Sequence, residues 1–344
     1  MGEIDIVSGA GVKIPAQFVG LCCADITSVP GSINFNTARS WDYNATFGVN
    51  AACVATFINP SDGVFNWATF DAFISNHLAK RIVFVLGATP DYLVSRAAIG
   101  GSYKGAKGNM CPDDLVGWAA LVTALVNRAK NTHGKTGILW QLFNEISEPA
   151  SYADSPALLG PYTRVTAQAI RAADPTAKII GPPVAGTFNS ALTYMRNYLL
   201  TSDGAGGICA DWLDGVAYHH YIQTLSHSSA SESCIHYYNT YATFLGMLRG
   251  IGLEKLGVYI TETGVLVGNP ERAKVLQRRA IVFAAAGAKL CLLYSYDASH
   301  YAIQAFPDEI NFINGLLASG AVITSCKIGY GPVKCVIDGI EYVV

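Results

Sequence analysis

Eight short apolar segments, spaced so that helix-like stretches fit between most of them, constrain this chain more than any other feature. They are Phe18–Ala24, Ile33–Trp41, Ile82–Ala88, Gly137–Asn144, Lys178–Pro182, Gly215–Tyr221, Gly257–Thr263 and Lys289–Tyr296. Runs of this length and make-up read as strands. Between them, Asn66–Lys80 sets Phe70, Phe73, Ile74 and Leu78 on one helical face, and Pro112–Lys130 opens with Pro-Asp-Asp and continues with Leu115, Trp118, Ala119 and Val122. Ser155–Ala173, Ser190–Leu200, Tyr237–Gly250, Pro270–Ala286 and Asp308–Ser319 continue the helical series, whereas Asp25–Ser32 is too short for a regular helix. Eight strand–helix units within about 300 residues suit an α/β (β/α)8 TIM barrel. A doubly wound sheet would want a glycine-rich turn after its first strand, and Gly20-Leu-Cys-Cys23 is not one. The expectation is a single catalytic domain over 1–344, with a core of about 18–320 and a short β-hairpin extension at 321–344.

Charge and hydropathy narrow the function classes. A formal net charge of −2 leaves no basic field for nucleic acid, and the densest basic run is Gln277-Arg278-Arg279. Mean hydropathy is +0.29, yet the longest stretch without polar side chains, Ala280–Ala288, is closed off by Arg278, Arg279 and Lys289. A membrane-spanning helix needs about 20 apolar residues, so no membrane span is expected. The apolar share of 51% suits parallel strands buried on both faces. Glu3, Asp5 and Lys13 interrupt the first 20 residues, which leaves no signal-peptide stretch. The protein is either not exported or begins after a removed leader, and the second reading would make it secreted or periplasmic. The nine Cys show no metal-type spacing with His. Cys326 and Cys335 flank Gly329–Pro332 symmetrically, and both a cross-strand disulfide there and a wholly reduced chain fit the spacing.

In a barrel of this kind the active site lies at the C-terminal ends of the strands. The polar residues at the segment ends, the fifth segment supplying none, are Asp25, Arg39 with Asp42, Thr89 and Asp91, Asn144 and Glu145, His219 and Tyr221, Glu262, and Tyr296 with Asp297. The set is rich in carboxylates and has no metal triad, so neither metal nor organic cofactor is expected. It contains no Lys for a Schiff base, and Gly264 and Gly268 alone make a poor phosphate loop. His219 and His220 are adjacent, so strand alternation sends them to opposite faces. Tyr221 shares the parity of His219, which assigns His219 to the site and His220 to packing.

Two residues stand out. Glu145 ends the fourth segment in Trp140-Gln-Leu-Phe-Asn-Glu145, and Glu262 ends the seventh in Val258-Tyr-Ile-Thr-Glu262. Two carboxylates facing one cleft meet the demands of glycosidic bond cleavage: one protonates the leaving oxygen, and the other attacks the anomeric carbon or activates water. At a separation of about 5–5.5 Å the second is the nucleophile and configuration is retained. The rival readings are a non-catalytic barrel that binds glycan and a TIM-barrel enzyme of another class. Asp91, Glu148 and Asp297 read as loop or supporting groups, Trp41 as a rim residue able to stack a sugar, and Asn44-Ala-Thr46 as a glycosylation sequon.

These residues also carry a resemblance. Asn144-Glu145 with Glu262 resembles the clan A retaining glycoside hydrolases. Further stretches resemble glycoside hydrolase family 39 and its relatives: Ala38-Arg-Ser-Trp-Asp42, Gly63-Val-Phe-Asn-Trp67, Val83-Phe-Val-Leu-Gly-Ala-Thr-Pro90, Ile179-Ile-Gly-Pro-Pro183 and Val216-Ala-Tyr-His-His-Tyr221. The resemblance implies a carbohydrate substrate, Glu145 as acid/base, Glu262 as nucleophile and Asn144 on the sugar 2-hydroxyl. It implies His219 and Tyr221 lining the subsite, with the Tyr221 phenol on Glu262, and Arg39 adding positive potential beside the nucleophile. Tyr296 would form a sugar platform. The chain departs from the family in having Phe143 where Trp is usual, Gln141 where Glu is usual, and Tyr294 and Tyr296 where the eighth strand often presents Trp. The appended β-sandwich of many family 39 β-xylosidases is not expected.

Overall fold

The computed structural model describes residues 3–7, 9–22, 35–40, 67–101, 106–185, 188–221, 230–265, 271–294, 307–329 and 332–344. Two short strands come first, β1 (Ile4–Asp5) and β2 (Val12–Lys13). Eight more follow: β3 (Val19–Cys22), β4 (Thr37–Arg39), β5 (Arg81–Leu86), β6 (Leu139–Leu142), β7 (Lys178–Gly181), β8 (Gly215–His219), β9 (Gly257–Thr263) and β10 (Leu290–Leu293). They pair in chain order and close into a parallel barrel. Each apolar segment of the sequence holds one of these strands, except that β5 starts one residue before its segment, at Arg81. Most of the strands are shorter than their segments. The helices are α1 (Ala68–Asn76), α2 (Leu115–His133), α3 (Leu159–Ala173), α4 (Phe188–Leu200), α5 (Ala230–Gly250), α6 (Arg272–Ala285) and α7 (Pro307–Leu316). Among the described residues no helix is long and apolar enough to cross a membrane.

The described residues fall into two compact units. In the unit running from Arg39 to Ala217, the core is aromatic. Phe84 of β5 packs edge-on to Phe70 and Phe73 of α1, with ring centroids 5.2 and 6.1 Å away, and tilts against Trp140 of β6 at 5.2 Å. Helix α2 begins where Asp114 accepts a hydrogen bond from Gly117 N at 2.9 Å and ends at Gly134, whose φ of 63° is the left-handed conformation that glycine adopts without penalty. Its buried stripe carries Trp118, whose indole donates to Thr166 Oγ1 of α3 at 2.8 Å. Tyr162 of α3 in turn donates to the carbonyl of Leu86 at 3.1 Å, tying that helix to the end of β5. Phe84→Ala is expected to cost about 3–5 kcal/mol of unfolding free energy through the cavity it leaves. Val116→Ala, on the exposed side of α2, should cost within about 0.5 kcal/mol. Urea denaturation of both variants measures the difference.

The other unit holds Tyr218–Val344 and the described residues before Arg39. There β10 pairs with β3 in the register Cys291↔Val19 and with β9 in the register Leu290↔Tyr259. Gly20 of β3 lies so close to β4 that a Cβ would sit 2.3 Å from the Thr37 carbonyl oxygen, so only glycine fits. The C-terminal segment exceeds the hairpin expected from sequence. It forms three strands, β11 (Val322–Ile328), β12 (Lys334–Ile337) and β13 (Ile340–Val343), and β1 and β2 pair with β11 to complete a five-stranded antiparallel sheet. The N-terminal strands are two residues each, too short to show an alternating pattern. Cys326 and Cys335 are opposite one another in this sheet, as the spacing suggested, but both are free thiols. Burial raises both, Cys335 to about 11, which keeps them protonated and unreactive.

Candidate active site

In the Arg39–Ala217 unit the site residues follow β6. The backbone turns sharply there: Phe143 has φ 50° and Glu145 has φ 38°, a left-handed conformation uncommon for residues with a Cβ. Such strain persists only where surrounding contacts hold it, and it clusters at functional sites. Here the contacts are explicit. Phe143 N donates to the Leu86 carbonyl at 3.1 Å, Gln141 Nε2 to the Phe143 carbonyl at 3.0 Å, and Ile146 N to the Pro183 carbonyl at 3.1 Å. The Phe143 ring is buried against Tyr162 and Tyr152, at 4.8 and 5.3 Å. The turn thus swings Asn144 and Glu145 out of the strand while their neighbours anchor it.

Asn144 is held by a buried arginine. Arg39 Nη2 donates to Asn144 Oδ1 at 2.9 Å, and Arg39 Nε donates to Gln141 Oε1 at 3.0 Å. Gln141, a departure from the family pattern, is therefore a ligand of Arg39, and the polar residue within an otherwise apolar strand was its signal in the sequence. The bond also sets which way the Asn144 amide faces, oxygen toward Arg39 and amine on the other edge. Glu145 is half-buried. Glu148 follows one turn later, its N–H on the Glu145 carbonyl at 2.8 Å. Burial first, and then the charge of Glu145, push the Glu148 carboxyl above its ordinary value. Asp91 is exposed at the start of a 3-10 turn, Asp91–Leu93, with its carboxylate on the Lys107 N–H at 3.0 Å.

In the other unit, Glu262 is the penultimate residue of β9 and is 7% exposed. Tyr221 OH donates to Glu262 Oε2 at 2.8 Å, and His219 Nε2 lies 3.4 Å from Oε1. Burial and the charge of Glu262 raise the Tyr221 phenol well above its usual value, so it stays a protonated donor. The Tyr294 ring meets Tyr221 edge-on at 6.0 Å. His220 faces the other way, among Tyr218, Tyr237 and Phe283 at 5.1–5.6 Å. Burial, then the nearby Arg279, lower its imidazole well below the usual value, and it is a neutral packing residue as alternation required. The Gln277-Arg278-Arg279 run is not a surface patch: Arg279 is 2% exposed, and Arg278 Nε donates to the Val344 carbonyl at 2.7 Å. Tyr296, Asp25, Trp41, Asp42, Asp297 and the Asn44–Thr46 sequon lie outside the described residues.

No known family profile and no curated protein matches the chain. Solved structures do. A glucosidase from Croceicoccus marinus superposes with a TM-score of 0.61 at 14% identity, covering 96% of this chain and 76% of that one. A family 39 glycoside hydrolase from Bacteroides cellulosilyticus WH2 gives 0.61 at 15% identity, with 95% and 69% covered. A GH30 endoxylanase from Clostridium papyrosolvens C71 gives 0.57 at 10%, with 96% and 83% covered. The resemblance to clan A glycoside hydrolases, family 39 among them, is thus borne out in the fold of this chain.

Proposed function

We propose that this chain is a retaining glycoside hydrolase in which Glu262 is the nucleophile and Glu145 the acid/base. The observation that carries the reading is the setting of Glu262: a carboxylate at a barrel strand end, gripped at one oxygen by a phenol that stays protonated and flanked at the other by an imidazole. A nucleophile must be held with its oxygens aimed at the anomeric carbon, and Tyr221 and His219 meet the two oxygens of Glu262. A general acid must hold a proton and reach the leaving oxygen, and Glu145 follows the fourth barrel strand, half-buried.

In the first step Glu262 attacks the anomeric carbon as Glu145 protonates the glycosidic oxygen, so the C–O bond breaks and a glycosyl ester forms. In the second, Glu145 takes a proton from water, the oxygen of which displaces Glu262 from the same carbon. Asn144, oriented by Arg39, would donate to the sugar 2-hydroxyl, and Tyr296 would stack on the ring. The fold likeness to glycosidases supports a carbohydrate substrate. Two displacements give net retention. On an aryl glycoside that the protein hydrolyses, proton NMR of the first-formed sugar should show the anomer of the substrate; the opposite anomer would refute this pair of roles.

A further inference from the structure

Arg279 of α6 is a buried cation for which no carboxylate is a partner among the described residues. Its Nη1 donates to Thr263 Oγ1 at 2.9 Å and to the Gly264 carbonyl at 2.8 Å, its Nη2 donates to the Tyr237 hydroxyl, and its Cζ lies 4.1 Å from the Tyr237 ring centroid. Its Nε has no hydrogen-bond partner. Burying a guanidinium on these terms is costly, and at a helix position facing the core an apolar side chain would serve stability better. Its two Nη1 acceptors belong to the residues directly after Glu262.

Thr263 explains what the arginine does there. A threonine hydroxyl has one proton and two lone pairs. With an Arg279 N–H on the oxygen, the hydroxyl proton is directed to the His220 carbonyl, a bond of 2.9 Å. The His220 N–H meanwhile donates to the Glu262 carbonyl at 2.9 Å. Residues 262–263 and His220 are thereby clasped by two reciprocal bonds. The residues on either side of His220 are His219 and Tyr221, whose side chains meet the two carboxylate oxygens of Glu262.

We propose that Arg279 is a positioning residue for Glu262: by orienting the Thr263 hydroxyl onto His220 it sets the register in which Tyr221 and His219 hold the carboxylate. The proposal rests on Glu262 being the nucleophile. Arg279 and Thr263 act through His220 on the placement of the carboxylate, so disturbing them should slow the chemistry far more than it weakens substrate affinity.

The test uses Thr263→Val, Arg279→Lys and the double variant, assayed on the aryl glycoside that the wild type hydrolyses fastest, with thermal unfolding alongside. Thr263→Val keeps the shape and removes the hydroxyl, so it reports on the clasp even if Arg279→Lys folds poorly. Each single variant should lose kcat by about 10- to 100-fold with KM within about two-fold. The double variant should lose no more than the worse single, because both changes break the same chain of bonds. Wild-type kcat in Thr263→Val, or losses that multiply in the double variant, would overturn the proposal. Glu262→Ala run in the same assay separates the two ideas. If it is inactive while Thr263→Val and Arg279→Lys keep full kcat, only the positioning role fails; if it is active, the nucleophile assignment fails and the positioning role with it.

Discussion

Glu262→Ala should lower kcat by roughly 10⁴- to 10⁶-fold, the range seen when a covalent nucleophile is removed, and azide should restore part of the lost rate. The reason is geometric. Alanine leaves a space the size of a carboxylate beside the Tyr221 phenol and His219, the last residue of β8. A small anion can occupy that space and attack the anomeric carbon once. No second displacement follows, so the product is a glycosyl azide of inverted configuration, which NMR identifies. The variant should fold, because the loss exposes one phenol to an unmet hydrogen bond at a cost of about 1–3 kcal/mol. Circular dichroism checks that. Turnover at the wild-type rate without azide would remove Glu262 from the mechanism.

The companion variant has a different signature. Glu145→Ala should slow substrates with poor leaving groups by about 10²- to 10⁴-fold, the usual contribution of a general acid. Glycosides of acidic phenols should suffer far less in the first step, since their leaving group departs without a proton. The pH profile should change in a defined direction. For poor leaving groups the wild-type rate falls as pH rises and the acid deprotonates, and the variant should lack that alkaline decline. Glu148 offers a second readout. Its carboxyl is raised by burial and, secondarily, by the charge of Glu145. Removing Glu145 takes away the smaller cause and leaves the larger, so Glu148 should move part of the way back toward the ordinary carboxylate value, as carbon-13 NMR of the side chain would register. Equal slowing of good and poor leaving groups would reassign the acid.

Much of the fold was legible because parallel barrel strands are buried on both faces and read as unbroken apolar runs. β9 is the clearest case, Gly257–Thr263 in sequence and in structure alike. The short strands β1 and β2 were not legible, since two residues carry no period and their pairing with β11 joins opposite ends of the chain. The same contrast runs through the site. His219 was preferred to His220 by strand parity with Tyr221, a local rule. Arg279 and Thr263 were missed because an arginine in a helical pattern and a threonine in a strand are unremarkable until their partners are known.

By itself, then, the sequence determined the eight-unit alternation, the places where carboxylates end the fourth and seventh segments, and which histidine of the pair on the sixth segment is a packing residue. The resemblance anticipated the Tyr221 phenol on Glu262, and the tertiary structure decided the other partnerships. The bond from Tyr221 to Glu262 spans 41 residues and that from Arg39 to Gln141 spans 102. Such contacts depend on the register of neighbouring strands and on rotamers chosen under close packing, neither of which is a property of a local stretch of chain. The strained turn at Phe143–Glu145 is of the same kind: nothing in those residue types favours a positive φ, and only the surrounding anchors hold it.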